Sequence, residues 1–163
     1  MRYLIVIILS VSIFGCISIE GKHNEMVSDP SYGVILVKAD NQNAALSAQI
    51  QVENINTGEK VVLRDMIREG NRGNPVVFKL TPGLYRLSRY KLYTNLRPSL
   101  KHINYFFSVE AQQINYVGDW TFKEFWQNGD LDVDFSVEYH PETVNKAKDT
   151  FKIILNKWPL APH

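Results

Sequence analysis

From Tyr32 onward, the pattern of hydrophobic and polar positions predicts a series of short β-strands. Residues 32–38 (YGVILVK) are mostly apolar and rich in β-branched side chains, as in a strand that is buried on both faces. Residues 46–54 alternate instead, with apolar side chains at every second position from Leu46 to Val52. Because side chains alternate along a strand, this pattern indicates one buried and one solvated face.

Turn signals separate the next strands. Residues 56–59 (NTGE) precede an apolar run at 60–63, which predicts a hairpin with the strand before them. Strands are predicted at 75–80 and 84–93, on either side of a Pro82-Gly83 pair that fits the central positions of a type II turn. In the second of these strands, Tyr85, Leu87 and Arg89 are expected on one face.

Two further pairs of strands are predicted in the last third of the chain. Residues 103–110 and 114–120 are expected to pair around 111–113. Residues 120–126 and 131–139 flank Asn128-Gly129, which is the strongest short-range signal for a hairpin. The last strand alternates between an apolar side from Leu131 to Tyr139 and an acidic side from Asp130 to Glu138.

A single helix is predicted at the C-terminal end. Pro141 fits the first helical position and Pro159 ends the helix. Apolar residues recur between them at spacings of three and four, and such a stripe must be buried, most simply against a sheet. Its members are Val144, Ala147, Phe151, Ile154, Leu155 and Trp158. We therefore expect a mainly β fold, an antiparallel β-sandwich of prealbumin or immunoglobulin-like type with one C-terminal amphipathic α-helix.

Composition narrows the classes of function. The chain has 163 residues and a net charge of +1, which argues against a nucleic-acid binder that relies on a large positive field. Its single cysteine excludes a disulfide framework and any site that needs several cysteine ligands. Four scattered histidines do not form a metal motif. We expect no cofactor, no metal and no nucleic-acid partner.

The N-terminal residues resemble the signal of a bacterial lipoprotein. A positive start is followed by an apolar run from Tyr3 to Phe14, which is short for a membrane span and typical of a secretory signal. Residues 13–16 (IFGC) are similar to a lipobox, which implies cleavage before Cys16 and acylation of its thiol. An uncleaved anchor is the alternative. The expected organisation is a signal peptide at 1–15, the lipidated Cys16 with a tether over 16–31, and a domain at 32–163.

A second resemblance concerns the folded part. Residues 76–87 (VVFKLTPGLYRL) resemble the hairpin of strand, Pro-Gly turn and Tyr strand in prealbumin-like β-sandwiches, as in carboxypeptidase-regulatory-like and collagen-adhesin repeat domains. Residues 107–119 resemble a run in small uncharacterised bacterial lipoproteins of the DUF2846 type, which often have glycine where Gln112 stands. The resemblance implies a fold and a lipid-anchored place in the cell envelope. Because Ile17 rather than an acidic residue follows Cys16, the outer membrane is expected.

Charge is distributed unevenly along the chain. Residues 60–101 contain ten Lys or Arg against two acidic residues, a local net charge of +8, whereas 119–142 contain seven acidic residues against one lysine, a local −6. The two regions are expected either to neutralise each other across neighbouring strands or to expose a basic patch. Such a patch would touch anionic headgroups or an acidic envelope protein. Its candidate residues are Arg68 and Arg72, in the exposed loop 68–74, together with the neighbouring Arg64, Arg86 and Arg89.

Other chemical signals are weaker. The acidic side of the last strand is too straight to chelate calcium, because its carboxylates lie about 6.6 Å apart. The aromatic residues at 120–126 are more typical of a core than of a sugar site. His102 lacks any nucleophile motif beside it.

We therefore expect a lipid-anchored, non-catalytic binding or scaffolding module. An envelope hydrolase and a carrier of small ligands, the latter needing an apolar cavity between the sheets, are the alternatives.

Overall fold

The computed structural model describes residues 25–42, 48–67, 73–92, 97–100 and 102–161. Within these ranges the chain is mainly β, with two four-stranded sheets, and two short helices follow the last strand. The strands are β1 Gly33–Asn41, β2 Ala48–Asn54, β3 Lys60–Ile67, β4 Pro75–Leu80, β5 Gly83–Leu92, β6 Phe106–Val109, β7 Ile114–Gln127 and β8 Asp130–Glu138, and the helices are α1 Pro141–Thr150 and α2 Lys152–Lys157.

The two sheets face each other across one core. The first sheet has the strand order β4-β1-β7-β8 and the second has the order β3-β2-β5-β6. Both contribute to the same cluster of buried residues, and the rings of Tyr90 in β5 and Phe122 in β7 stack at 4.6 Å between centroids. Trp120 is fully buried in the same cluster. Trp120 and Phe122 thus serve the core, as large aromatic side chains commonly do, whereas Trp126 near the end of β7 is 66% exposed.

The sheets are not wholly antiparallel, so that part of the sequence prediction is wrong. β1 pairs with β4 antiparallel but with β7 parallel, from Val34 opposite Ile114 to Asn41 opposite Phe122. The apolar run of β1 is buried on both faces, between the core and the helices, as its composition predicts. Burial on both faces is compatible with either strand direction, which is why the sequence did not reveal the parallel pair.

Two predicted hairpins are confirmed and two predicted pairs are wrong. β2 pairs with β3, and β7 pairs with β8, both antiparallel. In contrast, β4 belongs to the first sheet and β5 to the second, so the Pro82-Gly83 turn joins two sheets rather than two neighbours. β6 and β7 are likewise in different sheets. Turn chemistry sets where the chain reverses, but it does not determine which sheet the next strand enters.

The residues expected as two strands at 114–120 and 120–126 form the single strand β7. Its alternation changes phase at a β-bulge, where Leu36 lies opposite Tyr116 and Lys38 lies opposite Asp119. Gly118 occupies this bulge with a φ of 90°, and a Cβ there would approach a Val137 methyl to 2.4 Å. Glycine is therefore required by both the backbone and the neighbouring strand.

The predicted single helix is two helices. α1 ends at Phe151, whose φ of −117° and ψ of 34° are not helical, and α2 begins at the next residue. Phe151 and Ile154 both belong to a second cluster of buried residues on the outer face of the first sheet. This cluster also contains Ala147 and Trp158, so the predicted stripe does pack against a sheet. We call the two helices and this cluster the helix layer.

The folded part begins before Tyr32. Val27 is 2% exposed and belongs to the buried cluster of the helix layer, and Met26 packs against it. The tether predicted over 16–31 therefore differs from the structure in its last residues, because an apolar side chain at position 27 is held in the protein. The predicted signal peptide and Cys16 lie outside the described residues.

A buried carboxylate joins the helix layer to the first sheet. Asp119 is 6% exposed and accepts hydrogen bonds from Lys38 Nζ at 2.8 Å, Tyr116 Oη at 2.7 Å and Thr143 Oγ1 at 2.8 Å. Burial, followed by the hydrogen bond to Asp119, raises the pKa of Tyr116 to about 12. This cluster is structural, since each of its donors is used to satisfy the carboxylate.

Candidate functional site

Three of the five candidate arginines lie on one exposed surface. Arg64 is exposed on β3, and Arg86 and Arg89 are exposed on β5, all on the outer face of the second sheet. Arg68 and Arg72 lie outside the described residues. We call the outer side of β3, β2 and β5 the basic face.

The register between neighbouring strands places the side chains of the basic face in rows that run across the sheet. Glu53 of β2 lies opposite Lys60 on one side and Arg86 on the other, and Arg86 lies opposite Phe106 at the sheet edge. Arg86 donates to one Glu53 oxygen from Nε at 3.1 Å and from Nη2 at 2.9 Å. This ion pair fixes the arginine on the sheet surface and sets its charge against that of Glu53.

A bulge in β5 brings Arg89 to the same face. Gln51 lies opposite Arg89 while Val52 lies opposite Leu87, so Ser88 is an extra residue in β5. Ser88 Oγ donates to the Gln51 carbonyl at 3.2 Å. The extra residue reverses the phase of the strand, so that Tyr90 is buried and Arg89 is exposed. The prediction that Arg89 shares the face of Tyr85 and Leu87 is therefore wrong.

The basic face carries more cations than the sequence analysis selected. Lys60 and Lys91 also point outward, the latter opposite the exposed Gln49. With Arg64, Arg86 and Arg89, the face therefore carries five cations whose side chains are described, and Glu53 lies among them. The alternation of Lys60, Val62 and Arg64 could have identified the β3 part of it. The bulge that places Arg89 and Lys91 there has no comparable sequence signal.

Apolar side chains are exposed beside the cations. Among the described residues, six large hydrophobic side chains are exposed, and four of them are on the second sheet or its turn: Ile55, Val62, Leu84 and Phe106. Ile55 N–H donates to the Leu84 carbonyl at 2.8 Å, which places these two residues side by side. A surface that combines arginine with exposed apolar and aromatic groups is typical of a macromolecular interface.

An open cleft of about 460 Å³ borders the basic face where β6 ends. Lys60, Arg86, Ser88, Asn104 and Phe106 are among its lining residues. It arises because β6 pairs only with Gly83–Arg86, which leaves the second half of β5 without a strand on that side. The cleft is therefore a continuation of the basic face and not a separate enclosed site.

A histidine–carboxylate pair lies at another edge of the molecule. His102 Nε2 is 3.3 Å from Asp132 Oδ1, beside an open cleft of about 440 Å³. The residues that line this cleft include no serine, threonine or cysteine, and burial raises the pKa of its Tyr105, whose hydroxyl donates to the Val117 carbonyl. The lining of this cleft therefore gives the hydrolase alternative no support, although Ser99 lies nearby, paired with Asp132 in an isolated β-bridge.

Polar and aromatic groups fill the space between the sheets near β1 and β5. Asn41 Nδ2 donates to Tyr90 Oη at 2.9 Å and to Glu124 Oε1 at 2.7 Å, and the Tyr90 hydroxyl also bonds Glu124. Burial, followed by the bond to Glu124, raises the pKa of Tyr90. In this part of the space between the sheets, the described side chains therefore pack against one another.

Among the described residues, no three His, Cys, Asp or Glu side chains are grouped so that they could hold a metal ion. In the same residues, no helix combines the length and the apolar character needed to cross a membrane.

Comparisons with known proteins give no family. No family model matches the chain, and no curated protein matches it. It is similar to a "putative cell adhesion protein" from Bacteroides uniformis at 8% identity and a TM-score of 0.30, over 66% of this chain and 50% of that one. It is also similar to wild-type pneumolysin at 12% identity and a TM-score of 0.22, over 67% of this chain and 24% of that one. Likenesses this weak carry no argument about function.

Proposed function

We propose that this chain is a lipid-anchored protein of the bacterial envelope that acts as a non-catalytic binding module through its basic face. The observation that carries the proposal is the convergence of Arg64, Arg86 and Arg89 with Lys60 and Lys91 on one exposed sheet surface. Charges of one sign on one face attract a partner of the opposite sign. The ligand is therefore anionic, and the exposed apolar residues beside the cations add contact area.

The anchor in this proposal is the acylated Cys16. Its support is the sequence of the first sixteen residues, which has the charge, apolar run and cysteine of a lipoprotein signal. Two or three acyl chains hold a protein firmly at a bilayer, whereas one does not. Anchoring raises the local concentration of the binding face for partners in the same envelope. The outer membrane is the proposed location.

We also propose that the two sheets form a β-sandwich of prealbumin-like or immunoglobulin-like type. Two facing sheets with a tyrosine strand after a Pro-Gly turn are compatible with a prealbumin-like or immunoglobulin-like β-sandwich. The parallel pair of β1 and β7 is a variation within such an arrangement.

Charge reversal tests the binding face. The full chain carrying Arg64→Glu and Arg89→Glu is expected to bind a fluorescent acidic peptide of repeated glutamates at least about tenfold more weakly than wild type, as loss of two favourable charge contacts implies. Fluorescence anisotropy at low and moderate salt measures this. The matched control is Lys148→Glu with Lys152→Glu, which makes the same change of net charge on the helix layer. Equal losses in both double variants would show that net charge, and not this face, determines binding.

The anchor has its own test. Cys16→Ser should abolish incorporation of labelled palmitate and release the protein from membranes. Continued labelling of the Cys16→Ser protein would remove the lipid anchor from the proposal while leaving the binding face intact.

A further inference from the structure

The chain enters the folded part on the side opposite the basic face. Val27 is buried within the helix layer, which covers the outer face of the first sheet. The basic face is the outer face of the second sheet. Both sheets and the core therefore lie between the entry point of the chain and the basic face.

The short segment between Cys16 and the folded part makes it difficult for the basic face to reach the bilayer. Nine residue steps separate Cys16 from Glu25, the first described residue, and they span at most about 30 Å when fully extended. Packed sheets lie about 10 Å apart and a helix adds about 10 Å more, so the basic face lies about 20 Å or more from the helix layer. To reach the bilayer, that face would need the connecting residues almost fully stretched around the body, at a cost in chain entropy.

The helix layer itself is suited to face anionic headgroups. Residues 141–161 contain four lysines against Glu142 and Asp149, a net charge of +2 by count. The lysines are all exposed: Lys146, Lys148, Lys152 and Lys157. Lysine near an anionic membrane surface contributes favourable electrostatic energy through a flexible side chain and needs no defined contact geometry.

We propose that the anchored protein rests with its helix layer toward the bilayer and presents the basic face away from it, to an acidic protein partner. This inference rests on the lipid anchor proposed above. The helix layer carries lysines and the basic face carries arginines, and this difference supports a membrane role for the first and a protein-binding role for the second. The basic face displays three arginines, which bind carboxylates in a planar bidentate geometry and are enriched in protein interfaces, whereas lysine is depleted there.

Energy transfer to the bilayer tests the orientation. Two variants of the acylated full chain each carry one new cysteine for a fluorophore, Gln49→Cys on the basic face and Lys152→Cys on the helix layer. Acylation blocks Cys16, so each protein is labelled at one position. In vesicles that contain anionic lipid and headgroup acceptors, transfer is expected to be several-fold more efficient from position 152 than from position 49. Equal transfer, or stronger transfer from position 49, would overturn the orientation and favour the bilayer as ligand.

Crosslinking in intact cells tests the partner. A photoreactive residue at Gln51, in the centre of the basic face, is expected to form adducts with a protein that is acidic at the contact surface. These adducts should be lost with Arg64→Glu and Arg89→Glu and retained with Lys123→Glu, which changes an exposed lysine on β7 of the first sheet. Adducts with phospholipid, adducts that resist the charge reversal, or no protein adduct would each overturn the proposal. Mass spectrometry of Cys16 reports acylation directly. It therefore distinguishes a failure of the partner proposal from a failure of the lipid anchor.

Discussion

Replacing Asp119 by alanine is expected to lower the free energy of unfolding by about 3–4 kcal/mol. The carboxylate is buried and accepts three hydrogen bonds, one of them from the ammonium of Lys38. Removing one partner of a buried ion pair typically costs about 3–5 kcal/mol, because the other charge is left uncompensated. The lower part of that range applies here, since the Lys38 side chain is 31% exposed and can regain water.

Urea unfolding followed by tryptophan fluorescence measures this loss, because Trp120 adjoins Asp119 in β7. Asp134→Ala, an exposed carboxylate on β8, is the control and should change stability by no more than about 0.5 kcal/mol. Thr143→Val removes one donor and should cost about 1 kcal/mol. The double variant should fall short of the sum, since both changes break the same bond. A loss below about 1 kcal/mol for Asp119→Ala, or strict additivity, would show that the carboxylate does not hold the helices to the sheet.

Three further predictions address packing, backbone strain and pH. Ile154→Asp should destabilise the protein by about 4 kcal/mol in the same urea assay, because it places an unpaired charge in the helix layer. Gln112→Gly should raise the melting temperature slightly, since Gln112 has a φ of 56° and relief of that strain, about 1–2 kcal/mol, exceeds the entropy cost of glycine. The pKa of Tyr116 is raised, so the folded state holds a proton that the unfolded state loses. The contribution of Tyr116 to stability should therefore be fully present up to pH 10 and be lost between pH 10 and about 12, as measured by tyrosinate absorbance and circular dichroism.

The sequence predicts the strands well because their apolar patterns are local. β4 agrees with its predicted bounds, and the Asn-Gly hairpin between β7 and β8 is confirmed. The pairings that failed depend on distant parts of the chain. Nothing local to β1 indicates that its neighbour is the parallel β7, and nothing local to Pro82-Gly83 indicates a change of sheet.

The candidate site was predicted in part. Arg64, Arg86 and Arg89 were selected from charge alone, and they do share one face. Their convergence depends on the bulge at Ser88, which reverses the phase of β5. Without that residue, a strict period of two would have turned Arg89 toward Tyr85 and the core. The buried carboxylate of Asp119 also escaped the sequence analysis, since it was counted only as one charge of the acidic region 119–142. Gly118 lies in another bulge, which turns the Asp119 side chain inward. This glycine was the sequence signal that could have indicated a buried Asp119.

The parallel pair of β1 and β7 has a consequence for the order of folding. β1 is an inner strand of the first sheet, yet its contacts with β7 join residues 81 positions apart, as between Lys38 and Asp119. Contacts of such sequence separation form late, because a long loop must close before they stabilise anything. A polypeptide that emerges with its N-terminus first must therefore leave β1 without this neighbour until β7 is available. During that interval an apolar edge is exposed, which makes the nascent chain a client for holding chaperones.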